Sequence, residues 1–475
     1  MDESEHDVNL NNVNQKNNTA KEVQEETPND NDERKKQFLP DTDDELPLSK
    51  KLKAHNRNPI SVEGKASLEK EAESEERSIS DRRNEDDGDD DDLLRRILAA
   101  AAARGIPLSL LMAQANQYSE EDDEDVEYPF ASPPRSLEDV ADFIRSENCK
   151  KILVLAGAGM SVASGIPDFR SSNGLYATLD AGKLTCDPMQ QEKIRNDPTY
   201  CLDQHLFLEN PLPCLEVNRE FILGVRDRKW KATLAHRFFE LLNTQFQGKL
   251  CRLYTQNIDG LEDQCVGLPH SQRIAVHGSM DEAECAVCGY KTNFHDFCTL
   301  VERQIKDITG RDPNAPSEST PIRCASCGAL AVKPSIVLFR SSLPKVFFEN
   351  VPRDLKNVDL LIVIGTSLDV APANTLVFRV PKSSMRLLIN RERVGWQVGL
   401  DVDEEDRDFF GQGNCENVCL ELMEHLGWLD KLRPLLDQHE LPDASAALLR
   451  ERFQQPPGSK ARITKARIVK PKPRI

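Results

Sequence analysis

The stretch LAGAGMSVASGIPDFR, Leu155–Arg170, decides the fold. It closes a short apolar run, Ile152-Leu153-Val154-Leu155, that reads as a buried strand. A strand that runs into a glycine-rich turn and then a helix is the usual cradle for a dinucleotide phosphate. Yet the hydride-transfer pattern G-x-G-x-x-G fails here. Gly157 and Gly159 fit, but Val162 stands at the third position, and the next glycine, Gly165, leads at once into Ile-Pro-Asp-Phe-Arg. A plain crossover helix has no use for Pro167, Asp168, Phe169 and Arg170 in a row; they read as a loop that closes over a ligand. A purely steric need for glycine at a strand-to-helix turn remains the alternative for the two glycines themselves.

Other apolar strands surround this one. Leu250–Thr255, Arg273–Val276, Leu360–Ile364 and Met385–Ile389 are short and apolar, and helical stretches at Thr233–Asn243 and Asn417–Leu426 separate them. That alternation predicts an α/β fold: a Rossmann-like parallel sheet covered by helices on both faces. Ser136 caps a further helix at the start, where Leu137, Val140, Phe143 and Ile144 share one face. Residues 281–330 interrupt the pattern as a small polar module with two cysteine pairs. The catalytic body is therefore expected over 135–432.

The flanks differ in composition. Residues 1–134 carry two acidic runs, Glu85–Asp92 and Glu120–Glu127, and almost no aromatics, so a largely disordered acidic arm is expected. A short helix is predicted between those runs, up to Arg104. Residues 433–475 read as a polar tail with a basic end, KARITKARIVKPKPRI. The formal net charge of the 475-residue chain is -19, which argues against nucleic acid and favours basic partners. No apolar run is long enough for a membrane span, and the acidic start MDESEHDVNL resembles neither a signal peptide nor a mitochondrial presequence. Thirteen cysteines without a secretory signal point to reduced thiols and metal.

Five clusters carry the chemistry. Cys285-x-x-Cys288 and Cys324-x-x-Cys327 present four thiolates, the donor set of structural zinc, with Cys298 as an unpaired rival. The backbone amides of Gly157 and Gly159 can approach a pyrophosphate closely. Thr255-Gln256-Asn257-Ile258-Asp259 follows a strand directly, where ligands bind in parallel sheets; a turn or cap is the bland alternative. His277, before Gly278, sits at another strand end and suits proton transfer, although a lone histidine is more often structural. Gly365-Thr366-Ser367 and Asn390-Arg391 offer small and polar groups for phosphate and ribose, and Gly413-Asn414-Cys415 for adenine.

Taken together and in order, GAGMSVASGIPDFR, GLY at Gly174–Tyr176, TQNID, HG, the two CxxC pairs, GTSL and INRE resemble the sirtuins, the NAD-dependent protein-lysine deacylases. The resemblance covers about residues 137 to 430. It implies a large Rossmann-like domain, a small domain with structural Zn2+, and NAD consumed as co-substrate in the cleft between them. It implies that the acyl oxygen attacks the nicotinamide ribose, that nicotinamide leaves, and that His277 is the general base toward a ribose hydroxyl. Free lysine and O-acyl-ADP-ribose result. Asn257 and Asp259 join His277 as catalytic residues by this likeness. By the same likeness Gly157, Ala158 and Gly159 line the pyrophosphate with Thr366 and Ser367 nearby, Asp168, Phe169, Arg170, Asn257 and Asp259 surround the nicotinamide and its ribose, Gln256 and Asn390 contact riboses, and Cys415 lies on the adenine side. Ser161, Pro167, Tyr176, Ile258, Gly365 and Arg391 complete the cofactor-binding set. Val337, Leu338 and Phe339 fall on the acyl-lysine peptide.

One departure stands out. The family's Phe-Gly-Glu-x-Leu-Pro reads Phe339-Arg340-Ser341-Ser342-Leu343-Pro344 here. A β-carbon at Arg340 is expected to crowd the peptide, and its charge to repel basic flanking residues. Leu338, where a larger aromatic is common, is expected to widen the acyl tunnel. Competing functions that would use the same NAD site are mono-ADP-ribosyl transfer and a weakly active acyl-lysine reader or scaffold. Ser49-Lys-Lys-Leu-Lys53 and the basic end point to a nuclear address with histones as partners, with the cytoplasm as the alternative.

Overall fold

The structure is a computed structural model that describes residues 127–166, 174–402 and 406–454. The acidic runs' helix, the lysine-rich segment at 49–53 and the basic end lie outside the described residues, as do Pro167, Asp168, Phe169 and Arg170.

Six strands form the main sheet: β1 (Ile152–Ala156), β2 (Leu250–Thr255), β3 (Arg273–Ala275), β7 (Leu360–Ile364), β8 (Met385–Asn390) and β9 (Asp408–Gln412), in the order β3-β2-β1-β7-β8-β9. Every neighbouring pair is parallel. The period-2 side-chain alternation of a strand splits its residues between two cores. Ile152, Val154 and Ala156 of β1 join Leu360, Ile362 and Ile364 of β7 in one; Leu153, Leu155, Leu361 and Val363 face the other. Burial on both faces is why these strands read as unbroken apolar runs.

The sequence did not foretell β9. Its residues, DFFGQ, contain only two strongly apolar side chains, and its first one is charged. Asp408 is buried there by an ion pair with Arg386 of β8, Nε to Oδ1 at 2.6 Å. A strand admitted to the sheet by a buried charge pair leaves no apolar run to read.

A second sheet, antiparallel in the order β5-β4-β6, comprises β4 (Gly278–Cys285), β5 (Lys291–Thr292) and β6 (Val332–Ile336). Its core is not confined to residues 281–330. The Leu212–Arg226 and Phe294–Gln304 helices pack with it, so Leu215 and Ile222 share one apolar cluster with Met280, Phe297, Val301 and Ile336. Arg219 fastens the two parts, donating from Nε to the Ile305 carbonyl at 2.8 Å.

The folded body also runs past Leu432, where the sequence reading placed the start of a tail. Arg433–Asp437 and Asp443–Gln454 are helical, and Leu441, Ala446 and Leu449 are buried in the main core. Leu435, Leu436, Leu448 and Phe453 pack against the same core, and the polar residues between them disguised the stretch.

Candidate active site

The strand order reverses direction at β1 and β7, and the loops after their carboxyl ends part there. That is where ligands sit in open parallel sheets. A cavity of about 890 Å³ opens at this place.

The glycine loop forms one wall. Gly157 N–H donates to the Ile364 carbonyl at 2.9 Å, and Gly159 N–H to that of Gly365 at 2.8 Å. These amides therefore staple the β1 loop to the β7 loop; they are not directed at a phosphate. The glycines are required by contact. A Cβ on Gly157 would lie 2.7 Å from Thr366 Cβ, and one on Gly159 would lie 2.7 Å from Gly365 Cα. The steric need and the ligand-facing position coexist, since Gly157, Ala158 and Gly159 all line the cavity.

Thr366 ties the next pieces together. Its hydroxyl accepts from Gln256 Nε2 at 3.0 Å, and its carbonyl accepts from Asn390 Nδ2 at 3.2 Å. Three strand ends are thus locked into one polar rim. Gln256, Asn257, Ile258, Gly365, Thr366 and Ser367 line the cavity, as do Tyr176, Asn390, Arg391 and Cys415. Ser161 and Asp259 do not. They stand one layer behind: Asn257 Nδ2 reaches Ser161 Oγ at 3.3 Å, and Ser161 Oγ donates to Asp259 Oδ2 at 2.6 Å. Asp259 is buried, which pushes its carboxyl above the usual range, while the bonds from Ser161 and the Leu261 amide act against that rise.

His277 lines the cavity from between the two sheets. Its Nδ1 lies 3.0 Å from the Gln256 carbonyl oxygen. A carbonyl only accepts, so Nδ1 carries the proton and Nε2 is the basic nitrogen. Gly278 must follow it. At φ +76 it lies against β6, where a Cβ would stand 2.0 Å from the Ser335 carbonyl oxygen. The His277 carbonyl then accepts from Val337 N–H at 2.8 Å.

Val337, Leu338 and Phe339 leave β6 along the cavity wall. Phe339 is paired on one edge with the chain before the Gln204–Glu209 helix: its N–H donates to Leu202 and its carbonyl accepts from Gln204, at 2.9 and 3.1 Å. Arg340 adopts φ +68, the left-handed conformation that suits glycine, which explains why glycine is the common residue in the resembled motif. Its Nε lies 3.0 Å from Asp203 Oδ2, a buried carboxylate that also caps the Gln204–Glu209 helix. That partner offsets the repulsion expected of the arginine.

Several lining residues carried no sequence signal. Leu202 precedes a helix far from any motif, and Ala444 and Leu448 come from the Asp443–Gln454 helix. Only tertiary packing brings them to the cavity.

The four cysteines meet as foreseen. Their sulfurs lie within 4.8 Å of one another, with Cys285–Cys327 and Cys288–Cys324 both at 3.7 Å. Tetrahedral zinc with Zn–S near 2.3 Å needs sulfurs about 3.8 Å apart, so the donor set fits. Each pair is held by the same turn: Gly289 N–H returns to the Cys285 carbonyl and Gly328 N–H to that of Cys324, both glycines at positive φ. Cys298 is buried in its helix, outside the cluster.

Comparison with known proteins agrees with the geometry. The Sir2 family model matches residues 157–372. The chain is 35% identical over 326 residues to the NAD-dependent protein deacetylase sirtuin-2 of Danio rerio, covering 66% of this chain and 78% of that one. It is 38% identical over 261 residues to the NAD-dependent protein deacetylase SIR2rp1 of Leishmania major, 55% of this chain and 61% of the relative. It is 35% identical over 306 residues to the NAD-dependent protein deacetylase hst2 of Schizosaccharomyces pombe, covering 64% and 80%. With its glycine loop, its histidine between the sheets and its four-cysteine cluster on one continuous match, the chain belongs to the Sir2 family.

Proposed function

We propose that the protein is an NAD-dependent protein-lysine deacetylase that transfers the acetyl group to ADP-ribose and releases nicotinamide. The observation that carries this reading is the His277–Gln256 contact at 3.0 Å, which makes Nε2 a base in a cavity flanked by the glycine loop and the Val337–Phe339 segment. NAD supplies an electrophilic ribose carbon and a leaving nicotinamide. The chain's own part is to bind, orient and move a proton. Gly157, Ala158 and Gly159 admit the pyrophosphate by their lack of bulk, and Thr366 and Ser367 stand beside it. Gln256 and Asn390 meet riboses, and Cys415 the adenine side. Asn257, oriented through Ser161 and Asp259, faces the nicotinamide end. His277 Nε2 accepts a proton from a ribose hydroxyl, and Nδ1–H keeps the ring in register.

The substrate is an acetyl-lysine segment in extended form, lying along Val337, Leu338 and Phe339 by strand addition. Histones are the basic partners that suit an acidic chain, and the lysine-rich segment at 49–53 supports a nuclear address. Among the described residues no helix is long and apolar enough to cross a membrane. The four cysteines hold zinc, which leaves no open position and stabilises the small domain.

The test is nicotinamide release from NAD with an acetylated peptide. Deacetylated peptide and one nicotinamide per turnover are expected. Label from NAD remaining on protein would instead establish mono-ADP-ribosyl transfer, and peptide binding without NAD consumption would establish a reader.

A further inference from the structure

Behind Asp259 lies a polar cluster that the reaction described above does not use. His236, Asp259 and Glu262 each place one ligand atom so that all three lie within 4.8 Å of one another. All are buried, at 1%, 7% and 3% exposure. They come from different elements: His236 from the Leu234–Gln245 helix, Asp259 from the loop after β2, and Glu262 from the short Leu261–Gln264 turn of helix. Two of their atoms, His236 Nε2 and Glu262 Oε1, find no hydrogen-bond partner among the described residues. Buried polar atoms are rarely left so, because each unmet bond costs about 1–3 kcal/mol.

The protonation of His236 decides what can join them. The Thr233 backbone N–H donates to His236 Nδ1 at 3.2 Å. Thr233 Oγ1 also lies 2.8 Å from Nδ1 and gives its own proton to the Met160 carbonyl at 2.9 Å, so either neutral tautomer finds a partner at Nδ1. Burial, aided by the Arg237 charge, pushes the imidazole down to about 3, so the ring is neutral. Its single proton sits on one ring nitrogen, and Nε2 is the ring nitrogen left for the cluster. Glu262 Oε1 and His236 Nε2 make no direct bond to each other. A water with three partners at about 2.8 Å in tetrahedral directions spaces them about 4.6 Å apart, inside the 4.8 Å limit of the cluster.

We propose that His236, Asp259 and Glu262 hold one buried water molecule, and that through it Glu262 is a positioning residue for Asp259, Ser161 and Asn257. The water bonds His236 Nε2 and the two carboxyl groups. Burial and the nearby Asp259 charge push the Glu262 carboxyl up to about 7, so near neutrality Glu262 shares a proton with the cluster. The relay to the cavity is then continuous: water, Asp259 Oδ2 with Ser161 Oγ at 2.6 Å, Ser161 Oγ with Asn257 Nδ2 at 3.3 Å. Its kinetic part rests on the reading that Asn257 meets NAD; the water itself does not.

A crystal structure of the full chain, with anomalous data, tests the water. One light-atom peak within hydrogen-bond reach of all three residues is expected. A direct His236–Glu262 bond with no peak, or an anomalous metal signal, would overturn the water. Steady-state kinetics test the positioning. Glu262→Ala should raise the KM for NAD on the order of tenfold with kcat changed less, and Glu262→Gln, which keeps shape and hydrogen bonding, should restore most of it. An unchanged KM in the alanine variant, or equal loss in both variants, would overturn the positioning role. If wild-type protein releases no nicotinamide, the functional reading fails, and the crystallographic arm still decides the water.

Discussion

His277 Nδ1 and the Gln256 carbonyl oxygen lie 3.0 Å apart, so a backbone atom from one strand end fixes the proton on a side chain from another. Removing the imidazole removes both base and register. His277→Tyr should lower turnover by at least about a hundredfold while circular dichroism and melting stay close to wild type. Near-normal formation of deacetylated peptide would show that the base lies elsewhere.

The four sulfurs should be worth a domain. Cys324→Ser is expected to lose zinc and lower the melting temperature by about 5 °C or more. Cys298→Ser, outside the cluster, should leave zinc content at one per chain. Metal analysis beside calorimetry separates the two.

Gly278 is the tightest position in the site. Gly278→Ala would drive a Cβ into the Ser335 carbonyl at 2.0 Å and force an unfavourable φ. A stability loss of at least about 2 kcal/mol is expected in urea unfolding, with activity falling alongside.

Asp203 and Arg340 predict a charge preference. Asp203→Asn keeps a helix-capping side chain but strips the partner of Arg340. The KM for peptides with lysines beside the acetyl-lysine should rise about threefold to fivefold relative to acid-flanked peptides, and less at high salt. Equal changes for both peptides would place Arg340 away from the bound chain.

Glu262 gives a pH signature. Burial first, then the Asp259 charge, raises its acid in the folded chain, whereas Thr255 and Arg273 act weakly the other way. The fold therefore holds a proton that the unfolded chain has lost, and its contribution is present at low pH and fades as pH rises from about 4.5 to about 7. Glu262→Gln should flatten that decline in melting temperature.

The strands, the cysteine pairs and the strand-end polar residues were legible because their chemistry is local. Leu360–Ile364 is apolar in every residue, and CxxC sets its own turn. What stayed hidden depends on partners far along the chain. Asp408 enters a strand only because Arg386 meets it, and only the fold sets Glu262 and His236 behind Asp259. Gly157 and Gly159 line the cavity, and their N–H groups go to the Ile364 and Gly365 carbonyls. Sequence shows where a side chain is missing, whereas only the folded neighbour shows which carbonyl claims the N–H.

The Asp443–Gln454 helix has a consequence for exchange. Ser445 Oγ donates to one oxygen of Glu416, and the other accepts from Ala235 N–H at 3.0 Å, while Ala444 and Leu448 form part of the cavity wall. A single carboxylate thus joins this last described helix to the start of the Leu234–Gln245 helix beside the cavity. Deuterium uptake at residues 443–454 should slow when the dinucleotide binds, making this helix a reporter of occupancy.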